Sequence, residues 1–403
     1  MKSSLTTLVI TLSAFIIFPP ARAQNTYGPV NKSDSAKIYK GGEFYPVSTY
    51  SYNGNASTPK NVILMIGDGM GLAHIFAGMT ANGGDLYLKN FKNIGFATTH
   101  AANRFVTGSA ASGTALASGH KTNYGFIGVD TTGKTMENIR EMAQDIGKAT
   151  GVVSTSSVTH ATPASFVAHQ PSRNMEEEIA VDFVNSGIDV FIGGGLKFFS
   201  QRKDGRNLLD NLRSRGYQIA TTLEEVSEIE DGKIAGLVAP NGTERKSIRG
   251  EVLEVATETA LDILEEDPDG FFLMIEGSQI DWAAHGNDTP WIIEEMLDFD
   301  KVIGKVLEFA ADNQETLVIV TADHETGGFT IENGDYKTGM VTGDFTTGSH
   351  TGIMVPVFAF GPGAGDFTGF IDNTDIPGNI MKYLEAQPSK NHAKNRNHRS
   401  RKK

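Results

Sequence analysis

The chain has 403 residues, 39 % hydrophobic and 21 % charged, a formal net charge of -13 and no cysteine. That length can bury a large core, and that balance excludes a mainly disordered chain. The acidity argues against nucleic-acid binding as the main function, and without cysteine any metal site must use His, Asp, Glu and hydroxyl groups.

Residues 1–23 read as a secretory signal. Lys2 supplies a positive start, "TLVITLSAFIIF" is too short to span a bilayer, and Ala21-Arg22-Ala23 offers a small-x-small cleavage site. Cleavage after Ala23 and a periplasmic or secreted protein with no membrane span are expected. Residues 24–60, rich in Ser, Asn, Gly and Tyr, read as a loosely ordered lead-in.

From Asn61 onward the pattern changes. Apolar runs "VILMI", "IGFATT", "GVVSTS", "DVFIGG", "FFLMIE", "TLVIVTA" and "VPVFAF" alternate with amphipathic stretches such as "TMENIREMAQDIG" and "GEVLEVATETALDILEE". Continuous apolar strands separated by helices predict an α/β three-layer sandwich, with a central, mostly parallel sheet flanked by helices. Such sheets bind ligands beyond the carboxyl ends of their strands. One domain is expected over 61–388, with 200–250 as an excursion from the sheet. Residues 389–403 carry seven Lys or Arg and no acid, and read as a basic, disordered tail.

The run "NVILMIGDGMGLAHI" at 61–75 opens like a dinucleotide fingerprint, but Leu72 stands where the third glycine of that spacing belongs. The aspartate is the more telling residue. Asp68 follows "VILMIG", Glu276 ends "FFLMIE" and Asp323 follows "TLVIVTA", so three acids sit at the carboxyl ends of buried strands and converge on one crevice. Converging carboxylates repel unless cations lie between them. Histidines join the same loops. Asp281 and His285 in "EGSQIDWAAHGND" are four apart and share a helix face, His324 follows Asp323, and "TGSHTG" offers His350. Nitrogen-plus-carboxylate sets suit zinc, and oxygen-only sets suit magnesium.

In "VTGSAASGTALASGHKT", Ser109 precedes small residues that start a helix, where free amides and the dipole favour an anion. A serine hydroxyl is a poor nucleophile at neutral pH, and a metal on its oxygen would remedy that. "THATPASFVAHQPSRN" adds His160, Thr162 and Arg173, whose planar fork matches two phosphate oxygens.

These motifs, in this order, resemble those of the alkaline phosphatase family, particularly its compact bacterial members, including those from cold-adapted organisms. The resemblance covers roughly residues 61–385 through "GDGMG", "VTGSAASGTA", "THATPASFVAH", "EGSQIDWAAH", "TADHETGG" and "GSHTG". It implies a phosphomonoesterase of broad specificity at alkaline pH, working through a phosphoserine on Ser109 with two Zn2+ and one Mg2+. Asp281, His285 and His350 would hold one zinc, and Asp68, Asp323 and His324 the other. Asp68 would bridge to a magnesium held with Thr162 and Glu276, and Arg173 would grip the phosphoryl oxygens. A homodimer is also implied.

Three positions depart from or vary within the family pattern. Gly108 replaces an aspartate found in much of the family, which predicts a looser Arg173 and faster phosphate release. His160 would coordinate the third metal or bond to its waters. Trp282 is expected to pack at the rim.

Two rival readings are a related metal-dependent phosphodiesterase and a non-catalytic periplasmic metal- or phosphate-binding protein. A sulfatase is disfavoured because "GSAASGT" lacks the Pro and Arg its modified nucleophile needs. Sequence-specific nucleic-acid recognition is not expected, although terminal phosphates could be substrates.

Overall fold

The computed structural model describes residues 34–386. The signal sequence and the basic tail expected at 1–23 and 389–403 lie outside the described residues. In chain order the elements that build the site are β1 (Asn61–Gly67), α1 (Leu72–Ala81), β2 (Asn93–Thr98), α2 (Ser109–Ser118), β3 (Ala149–Ser157), β4 (Val190–Gly194), β5 (Tyr217–Ala220), β6 (Lys233–Ala239), α3 (Val252–Glu265), β7 (Phe271–Gly277), α4 (Gln279–His285), α5 (Thr289–Asn313), β8 (Thr316–Thr321), β9 (Val355–Phe360) and β10 (Gly369–Asp372).

These ten strands form one sheet in the order β10-β2-β9-β8-β1-β7-β3-β4-β6-β5. β9 runs antiparallel to both of its neighbours, and every other pairing is parallel. The central strands β1, β7 and β8 are buried at every residue, as a parallel sheet covered on both faces requires. α1, α3 and α5 pack together as one helical layer, while α2 packs with the helix at 375–385 in another. α5 is set at its start by Asp288, whose side chain accepts from the Trp291 amide, and its apolar stripe supplies Ile292, Met296, Phe299, Ile303 and Leu307 to the core.

Two expectations need correction. The 200–250 section is not an excursion, because β6 pairs with β4, and β5 extends the sheet beyond β6. β5 has four residues and lies at the edge. β6 carries Gly236, where a Cβ would come within 3.0 Å of Ile192. Short length and a glycine needed for close packing hid both strands from hydrophobic periodicity.

The lead-in, over its described part, is not loose. Ile38–Tyr39 pairs with the strand at 340–345. The Tyr45 amide donates to Asn82 Oδ1 at 2.8 Å, the Tyr50 amide to Asn90 Oδ1 at 2.7 Å, and the Asn53 amide to Gln314 Oε1 at 2.7 Å. Amide side chains of the body thus take the place of a neighbouring strand, so a polar composition was compatible with firm attachment.

Candidate active site

The three central strands deliver their acids to one edge, as their sequence positions predict. β1 leads into Asp68 through a turn at Gly69, which has φ +74° and whose added Cβ would lie 2.9 Å from Asp281 Cα. Glycine is needed there on both counts. β7 ends in Glu276, and β8 is followed by Asp323; all three acids are fully buried.

Each is only half satisfied. Glu276 Oε2 accepts from the hydroxyls of Ser154 at 2.5 Å, Ser278 at 2.6 Å and Ser156 at 3.2 Å, while its Oε1 has no partner. Asp323 Oδ1 accepts from the Gly69 and His324 amides at 3.2 and 3.0 Å. Asp323 Oδ2 and Asp68 Oδ1 have no hydrogen-bond donor, and Thr162 reaches Asp68 Oδ2 at 3.4 Å. Buried carboxylate oxygens without donors are costly in a protein interior. Their arrangement fits bound cations.

The histidines complete the fit. His285 Nδ1 lies 2.8 Å from the Gly348 carbonyl, and His350 Nδ1 lies 2.9 Å from the Thr107 carbonyl. A carbonyl only accepts, so both rings carry their proton on Nδ1 and turn a lone pair on Nε2 inward. The two Nε2 atoms are 3.1 Å apart, and they lie 3.4 and 3.6 Å from Asp281 Oδ1. The i,i+4 spacing of Asp281 and His285 does fall on a helix, α4.

His324 Nε2 lies 3.1 Å from Asp323 Oδ2 and 3.5 Å from Asp68 Oδ1. Its ring stacks on His350 with centroids 3.6 Å apart. Among the described residues three ligand groups gather within 4.8 Å: Asp281 with His324 and His350, Asp68 with Asp323 and His324, and Asp68 with His160 and Glu276. They interlock through His324 and Asp68.

The electrostatics report the same crowding. Burial, then the charges of Asp323 and Asp281, hold Asp68 well above the usual carboxylate range. Burial and Asp281 push Asp323 up to about 7. Burial also raises Asp281, but the charges of His285 and His350 overcome it and leave that acid low. Burial and His350 drive His324 well down. A cluster that keeps Asp68 and Asp323 protonated and His324 neutral is short of positive charge.

Ser109 is the first residue of α2, after Gly108, and its Oγ lies 3.3 Å from His324 Nε2. His324 Nδ1 faces the Thr326 hydroxyl at 3.2 Å instead of a carboxylate, so no Ser-His-Asp triad is built. Arg173 anchors its backbone amide on the Gly125 carbonyl at 2.8 Å, and its guanidinium lies 2.8 Å from His160 Nε2. Its charge reaches His324 and His350.

Comparison with known proteins fits this geometry. Residues 59–344 match the family model described as "Alkaline phosphatase". The chain belongs to the alkaline phosphatase family. It is 36 % identical to alkaline phosphatase 4 of Bacillus subtilis, with 81 % of this chain and 89 % of that one covered. The solved alkaline phosphatase of the Antarctic bacterium TAB5 is 42 % identical, covers 82 % of this chain and 100 % of its own, and superposes with a TM-score of 0.78. A variant of that enzyme, solved with Mg bound in the M3 site, is 40 % identical, with 83 % and 100 % covered and the same TM-score, 0.78. This family member is a metal-dependent phosphomonoesterase.

Sequence reasoning missed several residues of the phosphatase site. Thr326 donates to Asp281 Oδ1 at 2.5 Å, and Ser154, Ser156 and Ser278 orient Glu276. The serines could have been suspected from "GVVSTS", where polar residues interrupt a buried strand. Tyr124 carried no signal: its ring fills the space beside Gly108, within 2.8 Å of where a Cβ would stand. Trp282 packs edge-on against His160, with ring centroids 5.9 Å apart, and lies against Gly242.

Proposed function

We propose that this phosphatase hydrolyses a broad range of phosphate monoesters through a phosphoserine on Ser109, in a site holding two zinc ions and one magnesium. The observation that carries the reading is the placement of the Ser109 hydroxyl 3.3 Å from His324 Nε2, beside buried carboxylate oxygens that lack donors. Asp281, His285 and His350 would hold one zinc, and Asp68, Asp323 and His324 the second. Asp68, Thr162 and Glu276 would hold magnesium; a histidine-to-aspartate variant of the TAB5 enzyme binds Mg in its M3 site. His160 would reach the same ion directly or through water. Bound there, the cations supply Lewis acidity and compensate the charge of both the attacking and the leaving oxygen.

The chain's own residues then do the following. Ser109 Oγ gives up its proton to solvent and attacks phosphorus, the bond from phosphorus to the ester oxygen breaks, and the departing alcohol oxygen takes a proton from water. Arg173 holds two non-bridging oxygens in its fork. The free amides at the start of α2 face the same negative charge. Water then attacks the phosphoserine from the opposite side, and Ser109 recovers its hydroxyl as inorganic phosphate leaves.

The expected signal sequence supports a periplasmic or secreted location, with residues 61–388 as the catalytic domain. No helix among the described residues is long and apolar enough to cross a membrane. A homodimer is supported by Leu72 and Phe76, four apart on α1 and both exposed.

Ser109→Ala at unchanged metal content is the test, with turnover of p-nitrophenyl phosphate expected to vanish and metal analysis to give two zinc per magnesium. Undiminished turnover would remove the phosphoserine. A large preference for the bis ester would favour a diesterase.

A further inference from the structure

Large apolar side chains exposed beside a charged reaction centre call for an explanation, because the phosphoryl group gives them nothing to bind. Phe105 is 78 % exposed and lies four residues before Ser109; Ile353 is 53 % and Met354 38 % exposed, three and four residues after His350. The two segments are joined at the site itself, where His350 Nδ1 meets the Thr107 carbonyl at 2.9 Å. The Phe105 ring lies over Gly352, and a Cβ added there would come within 2.7 Å of its Cε1. Gly352 therefore leaves the ring its place. On the other side of the serine, Tyr124 fills the space at Gly108, with the Arg104 guanidinium 4.4 Å above its ring. A cation over the ring face holds it in position.

We propose that Phe105, with Ile353 and Met354, forms a subsite for the alcohol portion of the ester and favours aromatic or alkyl phosphates over polyol phosphates. This rests on the reading of Ser109 as nucleophile. A leaving group that extends from phosphorus past His350 meets this apolar rim, and an aryl group can pack on the Phe105 ring. Polyols gain nothing from that contact and would dehydrate it. Aromatic contacts of this kind discriminate by about five- to tenfold.

The experiment compares kcat/KM for phenyl phosphate and glycerol 1-phosphate with the full-length, metal-loaded enzyme. Phe105→Ala should lower the ratio about five- to tenfold, Ile353→Ser should lower it less, and Phe105→Trp should keep it near the parent value. An unchanged ratio in Phe105→Ala would overturn the subsite. So would a smaller assembly for that variant in sedimentation, since the patch would then be an interface between copies. Ser109→Ala in the same assay keeps the two readings apart: full turnover there would remove the nucleophile, whereas an unchanged ratio in Phe105→Ala removes only the subsite.

Discussion

His160 Nε2 lies 2.8 Å from the Arg173 guanidinium, so the arginine we propose as the phosphate grip is held by a ring that belongs to the third ligand group. Burial, reinforced by the charge of Arg173, pushes His160 down to about 3. The imidazole is therefore neutral at working pH and accepts from the arginine. Losing a hydrogen bond to a charged group costs about 1.5–3 kcal/mol when buried, and Arg173 is only half-buried. We expect His160→Ala to raise KM for p-nitrophenyl phosphate roughly tenfold, near the lower end of that range. His160→Gln, which keeps an acceptor, should recover most of the loss; if it behaves like Ala, the tether is not what positions Arg173.

Metal removal should make the protein sensitive to alkali. In the metal-free fold, burial and Asp281 hold Asp323 protonated up to about 7, and burial with the charges of Asp323 and Asp281 raises Asp68 as well, whereas the unfolded chain loses these protons near 3.8. The folded state then binds more protons than the unfolded state, so stability falls as pH rises through the folded values. The depressed His160, His324 and His350 act in the opposite sense, but only below their unfolded value of 6.5. A net loss is thus expected from about pH 6.5 to 8, where Asp323 gives up its proton in the fold. Chelated protein should show its Tm falling from about pH 6.5 to 8, and metal-loaded protein should not. A flat profile for the chelated protein would show that these acids are not strained.

Gly108 changes meaning once Tyr124 is seen. Its backbone is extended, with φ -136° and ψ 164°, so any residue could adopt it, but an added Cβ would meet the Tyr124 ring at 2.8 Å. Nor is Arg173 left loose, because the Gly125 carbonyl and His160 both hold it. Gly108→Asp alone should therefore destabilise by about 1–3 kcal/mol through overpacking, read as a lower Tm. Gly108→Asp with Tyr124→Ala should regain stability and tighten inhibition by phosphate. If the pair binds phosphate no more tightly than the parent, a carboxylate here does not act through Arg173.

What the sequence made legible was chemistry attached to regular structure. Asp68, Glu276 and Asp323 could be read because each terminates an uninterrupted apolar run, and a parallel sheet brings such ends together. His285 followed from the helical period. What escaped depends on how loops fold back. His160 and Arg173 meet across a separation of thirteen residues, Tyr124 reaches Gly108 from a separate turn, and Thr326 bonds Asp281 across forty-five residues. No periodicity encodes these contacts. β5 and β6 were missed for a different reason, since one is a four-residue edge strand and the other is interrupted at its centre by Gly236.

The section between β6 and α3 is fastened to α5 by buried charge, which gives a prediction independent of the metals. Arg249 reaches Glu295 Oε2 and Asp298 Oδ2, both at 2.6 Å, and all three side chains are almost fully buried. Lys246 adds a 2.7 Å contact to Asp298, and the Trp291 indole donates to Glu295 at 3.0 Å. Gln279 of α4 donates to the Thr243 and Glu244 carbonyls in the same stretch. Removing the arginine would leave two buried carboxylates short of positive charge. That costs about 3–5 kcal/mol, whereas replacing a whole buried ionic group by apolar residues is often neutral. Arg249→Met should therefore lower the urea midpoint by the equivalent of about 3–5 kcal/mol. The triple change Arg249→Met, Glu295→Leu and Asp298→Leu should recover most of it. A triple variant as unstable as the single one would mean that the loss comes from packing or from the contacts of Lys246 and Trp291, and not from stranded charge.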